Sequence, residues 1–206
     1  MSERAARAIG ASAPGHFGVV PGAITLCETT ITAAWNVQGN PLHAPFLATA
    51  RQVFDVALPQ VPNTTTQSAG WTALWLGPRS WLLVARGTSS NALSASAFTS
   101  HRDACNDVGG ALFDVSASRV AYTIAGPHAA SVLAKGCPLD FHPRVFGAGQ
   151  CAQSLLGHIN ALIYRPEATP AFMVLVARSM ASDAWHALGV SAAQVGYDVA
   201  QPTQFP

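Results

Sequence analysis

The chain has 206 residues, half of them hydrophobic and only 10% charged, with eleven Lys and Arg against ten Asp and Glu for a formal net charge of +1. Hydrophobicity at that level excludes a disordered chain, and a near-neutral balance without clustered Lys and Arg argues against nucleic acid as a partner. An average soluble domain is about 25% charged, so a surface this poor in charge is expected to lie against other protein.

Residues 1–21 hold Arg4 and Arg7 but no apolar run of seven or more. A secretory signal needs such a run, so they read as a loose tail. Apolar alternation and β-branched density predict strands at Ile24–Leu26, Ile31–Val37, Ala73–Leu76 and Trp81–Ala85. A second set follows at Leu112–Val115, Arg119–Ala125, Ala161–Tyr164 and Phe172–Ala177. Helical spacing runs from Pro41 to Phe54 through Leu42, Phe46, Leu47, Ala50 and Val53, with Asn40 and Pro41 as the start signal. Further helices are predicted over Ser90–Ala104, His128–Lys135 and Ser182–Leu188, the last with Ser179 or Ser182 as N-cap. Pro59–Ala69 reads as a polar link and Arg165–Pro170 as a turn, and residues 199–206 read as a second tail. No stretch approaches the length of about eighteen apolar residues that a membrane span needs. Cys27, Cys105, Cys137 and Cys151 are widely spaced, which points to reduced thiols and a cytoplasmic setting.

These elements repeat. Strand, turn, strand, Gly39, Pro41 and helix over Ile24–Phe54 is matched by strand, turn, strand, Gly126, Pro127 and helix over Leu112–Lys135. Leu83, Val84, Ala85, Arg86, Ser90 and Ala92 recur as Leu175, Val176, Ala177, Arg178, Ser182 and Ala184. The expectation is a single α+β domain over residues 22–198, built from two pseudo-repeated β-β-α-β-β-α units.

Candidate chemistry is sparse. Cys137, Asp140 and His142 are the compact group of metal-ligating types, but zinc needs three or four ligands and no fourth is at hand. Cys137 with His142 would make a thiolate–imidazole pair, yet two prolines bracket the segment, and it reads as a rigid loop. Gly147-Ala-Gly149-Gln-Cys-Ala152 fits a dinucleotide fingerprint, which requires a strand before it and a long helix after it to hold pyrophosphate. Pro143 and Gly157 leave no room for them, so a glycine-rich turn is expected. Arg79, Arg86, Arg119, Arg144, Arg165 and Arg178 are candidates for pairing at interfaces. Of Trp35, Trp71, Trp75, Trp81 and Trp185, at least one in the Trp71–Trp81 strand pair is expected to point away from the core. The residues therefore predict no catalytic, cofactor-binding or metal site.

The stretch from Leu112 to Leu139, with FDVS, a Val-rich strand, Gly126-Pro127-His128-Ala129 and a helix in order, resembles the opening unit of the aminomethyltransferase fold. Trp75–Ala85, the block Ala134–Gly157 with CPLDFHPR at its centre, Pro62–Thr64 and Phe172–Trp185 resemble, more specifically, the gamma-subunit family of heterotetrameric sarcosine oxidases. The match runs from about Gly22 to Val195. The resemblance implies a domain like the folate-binding domain of aminomethyltransferases. It implies a non-catalytic role in a complex that demethylates sarcosine to glycine with oxygen and tetrahydrofolate, forming hydrogen peroxide. It implies alpha, beta and delta subunits as partners, and places FAD, FMN, NAD, tetrahydrofolate and zinc in those subunits, with no cofactor here. Folate-binding members carry a G-I-x-D-D strand start; aligned on Gly157, its two acidic positions are Asn160 and Ala161. Neither supplies the carboxylate that would accept from the pterin. The alternatives are a stand-alone folate-dependent aminomethyltransferase-like protein, or the gamma subunit of an oxidase for another N-methyl amine.

Overall fold

The structure, a computed structural model, describes residues 11–87, 95–166 and 171–206. In place of one shared core it holds two compact units: residues up to Thr30 with Ser118–Thr203, and Ile31–Ala117 with Gln204–Pro206. Each sheet has its own helix pair to cover it, so each buries a separate cluster of apolar side chains.

In the first unit the strands are β1 (Gly15–Phe17), β2 (Ile24–Thr30), β8 (Arg119–Ala125), β9 (Gln150–Leu156), β10 (Ile159–Arg165), β11 (Ala171–Ala177) and β12 (Tyr197–Val199). They pair in the order β1-β12-β2-β8-β11-β10-β9, and the short β13 (Thr203–Gln204) also pairs β2. Along that order β12 and β2 run parallel and the other neighbours antiparallel. Helices α3 (Ala129–Leu133) and α4 (Ala181–Ala192) cover one face. That face carries Ile24, Leu26, Tyr122, Ile124, Ile159, Ile163, Val174 and Val176 against Val132, Leu133, Trp185 and Leu188. Leu162, Tyr164, Met173 and Leu175, which point the other way, are buried as well. Burial on both faces is why β11 reads as an unbroken apolar run rather than an alternation.

The second unit holds β3 (Ala34–Gln38), β4 (Thr65–Gln67), β5 (Trp71–Gly77), β6 (Ser80–Ala85) and β7 (Ala111–Asp114), with α1 (Ala44–Phe54) and α2 (Ala95–Asp107). The sheet order is β4-β5-β6-β3-β7, antiparallel throughout. Phe46 anchors α1 and is 1% exposed. A Cβ on Gly39 would stand 2.3 Å from its ring, and one on Gly110 2.6 Å, so both positions are held to glycine by that contact.

Several expectations are corrected. Of the predicted N-terminal tail, residues 1–10 lie outside the described residues, and the part from residue 11 contains β1, which joins β12 across 182 residues; in the predicted C-terminal tail Phe205 is 1% exposed with its carbonyl accepting from Gly87 N–H at 3.2 Å. The Pro59–Ala69 link contains β4. Helix α1 begins at Ala44 with Pro45 in its first turn, after a turn in which Asn40 Oδ1 accepts from Leu42 N–H at 3.1 Å. Helix α4 runs to Ala192, and its N-cap is Met180 without a side-chain bond, rather than Ser179 or Ser182. The predicted start of α2 at Ser90 lies outside the described residues. The four cysteines are free and buried, and no described helix is long and apolar enough to cross a membrane.

Candidate functional site

The segment after α3 turns its aromatic side chains and Cys137 inward and most of the rest outward. Cys137, Phe141 and Phe146 are buried, whereas Asp140, His142, Pro143, Arg144 and Val145 are exposed. Phe141 meets Phe172 of β11 edge-on at 5.2 Å, and Phe146 stacks on the same ring at 6.3 Å. Arg165 lays its guanidinium 5.5 Å from the centre of Phe172 and donates from Nη1 to Phe146 O at 2.7 Å. Above this aromatic base the loop bonds to itself. Asp140 Oδ1 accepts from His142 N–H (2.8 Å), His142 Nδ1 from Arg144 N–H (3.2 Å), and His142 O from Val145 and Phe146 N–H (2.8 and 2.9 Å). The thiol of Cys137 thus sits in the core while the imidazole faces solvent, so the two form no nucleophile pair. No described group of three His, Cys, Asp or Glu gathers to hold a metal.

The glycine motif leads into a strand. Gly149 has φ +76°, Gly147 N–H donates to Gln150 Oε1 at 2.5 Å, and the chain enters β9 directly. No helix N-terminus stands behind these glycines to hold a pyrophosphate. Asn160 and Ala161 fall on opposite faces of β10, as neighbours in a strand must. Asn160 is exposed, and Ala161 is 5% exposed within the cluster that contains Ile159, Ile163 and Val176. Of the two aligned positions, one thus holds a neutral, exposed side chain and the other lies in the core.

Three of the candidate arginines bond within this chain. Arg86 donates from Nη1 to Ser68 O at 2.6 Å, Arg178 from Nη2 to Arg119 O at 3.3 Å, and Arg165 as described. Three of the six interface candidates are therefore engaged internally, while Arg79 and Arg144 remain exposed. Four tryptophans are buried, Trp185 in the first unit's core and Trp35, Trp71 and Trp81 in the second's, and Trp75 is half-buried against that second core, so contrary to the expectation none in the strand pair turns outward.

Two features carry no signal in the sequence. Glu28, 9% exposed on β2, faces a cavity of ≈ 250 Å³ that Ser12, Trp185, Val199 and Pro202 also line. That volume is below the roughly 300 Å³ at which small-molecule pockets begin. Beside it, burial pushes the Tyr122 phenol far above its ordinary range, Glu28 adding to the rise and Arg178 opposing it. The phenol therefore stays protonated and donates to Ala181 O at 2.9 Å. In the second unit, His101 of α2 stands edge-on to Trp35 (5.7 Å) and Phe54 (5.6 Å). Its Nδ1 is buried with no hydrogen-bond partner among the described residues. Desolvation lowers its pKa from 6.5. The unfolded chain then binds the proton more tightly, so stability is full above about pH 6.5 and falls as pH drops through the folded value. Urea midpoints measured between pH 8 and 5 are expected to fall less in His101→Leu than in the parent.

Residues 38–194 match the sarcosine oxidase, gamma subunit family. The sarcosine oxidase subunit gamma of Corynebacterium sp. (strain P-1) is 34% identical over 149 residues, covering 72% of this chain and 70% of that protein. Its counterpart from Arthrobacter sp is 32% identical over 148 residues, 72% of this chain and 70% of that one. Among solved structures, a chain of the heterotetrameric sarcosine oxidase from Corynebacterium sp. U-96 in complex with pyrrole 2-carboxylate aligns with TM-score 0.74 at 27% identity, covering 85% of this chain and 87% of that chain. The glycine cleavage system aminomethyltransferase T from Bartonella henselae aligns with TM-score 0.58 at 17% identity over 88% of this chain and 48% of that one, which shows a shared α+β fold. By the extent of the family match and the identity to its members, this chain belongs to the sarcosine oxidase gamma subunit family.

Proposed function

We propose that this chain is the non-catalytic gamma subunit of a cytoplasmic, tetrahydrofolate-linked heterotetrameric sarcosine oxidase, with alpha, beta and delta subunits as its partners. In that complex sarcosine is demethylated oxidatively to glycine with formation of hydrogen peroxide, and the flavins, NAD, folate and zinc sit in the other subunits. The observation that carries the non-catalytic reading is that the candidate reactive groups are used by the chain's own packing: Cys137 in the core, Asp140 and His142 in loop hydrogen bonds, Ala161 in the core. The low charge and the exposed Leu42, Val61, Val145 and Val190 fit a chain covered by partners. Free, buried thiols fit a reducing compartment.

An origin by duplication belongs to the same reading. Its support is that β2-β8-β11-β10-β9 and β7-β3-β6-β5-β4 follow one plan, and that the repeated Leu-Val-Ala-Arg lies on β6 and β11 and into the residue after each.

Co-expression of the tagged chain with the other subunits is expected to recover one complex with a flavin spectrum and sarcosine-dependent peroxide formation. In that complex Cys137→Ala and His142→Ala are each expected to keep turnover within about threefold of the parent, because loss of a true nucleophile or base costs on the order of 100-fold or more. A drop of that size in an intact complex would overturn the non-catalytic reading. Tight calorimetric binding of tetrahydrofolate by the chain alone would favour a transferase instead.

A further inference from the structure

Among the described residues Glu28 is the one buried side chain that carries a charge, and it faces the cavity of ≈ 250 Å³. Burying a carboxylate is costly unless cations or hydrogen bonds match it, so its place beside a cavity calls for a chemical account. The rest of the lining is short of donors. Pro14 and Pro202 carry no N–H. The Ala200 N–H is bonded to Leu26 O at 2.9 Å, and the Trp185 indole N–H donates to Ser12 Oγ at 3.2 Å. With its N–H held in that way, Trp185 offers the cavity its ring. A carboxylate, backbone carbonyls and an aromatic ring together select a cation that donates hydrogen bonds. A carboxylate has about four acceptor positions, so Glu28 has capacity beyond the bonds it makes within the chain.

A divalent metal is a poor match, since calcium takes about 6–8 oxygen ligands and Glu28 is the one carboxylate in this lining. An organic ammonium matches both halves of the site. Its N–H groups make charge-assisted hydrogen bonds to the carboxylate, and its alkyl groups carry positive charge onto the face of an indole. The volume falls short of a drug-sized pocket and suits an ion of a few non-hydrogen atoms. We infer that this cavity binds a small alkylammonium ion, Glu28 accepting from its N–H groups and Trp185 holding its alkyl groups. Every residue of the site belongs to the first unit, so the inference stands independently of the subunit reading.

The test uses the full chain labelled with fluorotryptophan, with dimethylammonium chloride as the probe at constant ionic strength. Loss of one fluorine signal in Trp185→Phe identifies the signal of Trp185. In the parent that signal is expected to move saturably, with a Kd in the millimolar range that is about the limit for so few atoms. The signals of Trp35, Trp71, Trp75 and Trp81, all in the second unit, are expected to stay in place. Isopropanol, similar in size but uncharged, is expected to move none of them. Glu28→Gln is expected to weaken binding at least about tenfold through loss of the charge-assisted hydrogen bond. Ala13→Phe, on the exposed wall of the cavity, is expected to block it while the melting temperature stays within about 2 °C of the parent. A Trp185 signal that stays still in the folded parent would overturn the inference. So would an undiminished response in Glu28→Gln or in Ala13→Phe, or an equal response to isopropanol. Should Glu28→Gln fail to fold, Ala13→Phe carries the comparison alone. Carbodiimide coupling of Glu28 to a lysine of another subunit in the co-expressed complex would also overturn it, because a protein ammonium would then fill the cavity.

Discussion

An Ala161→Asp variant is expected to lose about 3–5 kcal/mol of folding stability and to gain no affinity for tetrahydrofolate. The resemblance to a G-I-x-D-D strand start, aligned on Gly157, implies an acidic second position here, so a carboxylate restored from the sequence alone would be placed at Ala161. Ala161 is 5% exposed and lies opposite Val176 on β11 and Ser154 on β9, within the apolar cluster beneath the helices. A carboxylate there is desolvated among apolar side chains, the kind of change that produces the largest single-residue losses. The pH dependence has a definite sign. Burial raises the folded-state pKa of the new carboxyl above its unfolded value of about 3.9. The penalty is then smallest in acid and grows as pH rises through the folded value. Urea denaturation at pH 5 and pH 8 should therefore separate parent and variant more at pH 8. Asn160→Asp, on the exposed face, is expected to change stability by no more than ~0.5 kcal/mol. An Ala161→Asp chain as stable as the parent that binds tetrahydrofolate in a calorimeter would mean this part of β10 lines a wet pocket.

Ile159, Ala161 and Ile163 share one face of the strand by simple alternation, so the core side of β10 was legible from the residues. The eight main strands and four helices were legible too, because their apolar runs and turn residues are local signals. Strand β9 was not. Gln150–Leu156 is a polar-rich edge strand following a Gly-x-Gly turn, and its identity comes from pairing with β10, from Ile159–Leu156 to Arg165–Gln150. Strands β1 and β12 are three residues each and exist because they pair with distant segments, which no window of sequence displays. The prolines of the CPLDFHP segment mark it as a loop in the sequence. What fixes it is the meeting of Phe141 and Phe146 with Phe172, some thirty residues on, and that contact belongs to the fold alone.

Removing that ring is the sharpest test of the loop. Phe172→Ala is expected to destabilise the chain by about 3–5 kcal/mol, the usual cost of emptying a buried phenylalanine site. Here the vacated space would also unseat Phe141 and Phe146 and leave Arg165 without its ring. Edge-to-face aromatic pairs add roughly 0.5–1.5 kcal/mol beyond area burial, so the loss is expected toward the upper end. Phe172→Leu keeps most of the volume but none of the ring contacts, and should fall between. The local consequence separates a loop held from below from one held by its own bonds. Hydrogen exchange at the amides of His142, Val145 and Phe146, all of which donate within the loop, is expected to speed up at least tenfold more in Phe172→Ala than exchange at the strand amides of β10 and β11. If those three amides keep their protection relative to the strands while global stability falls, the aromatic base does not hold the loop. Order in the loop at Arg144 and Val145 would then have to come from the turn hydrogen bonds alone.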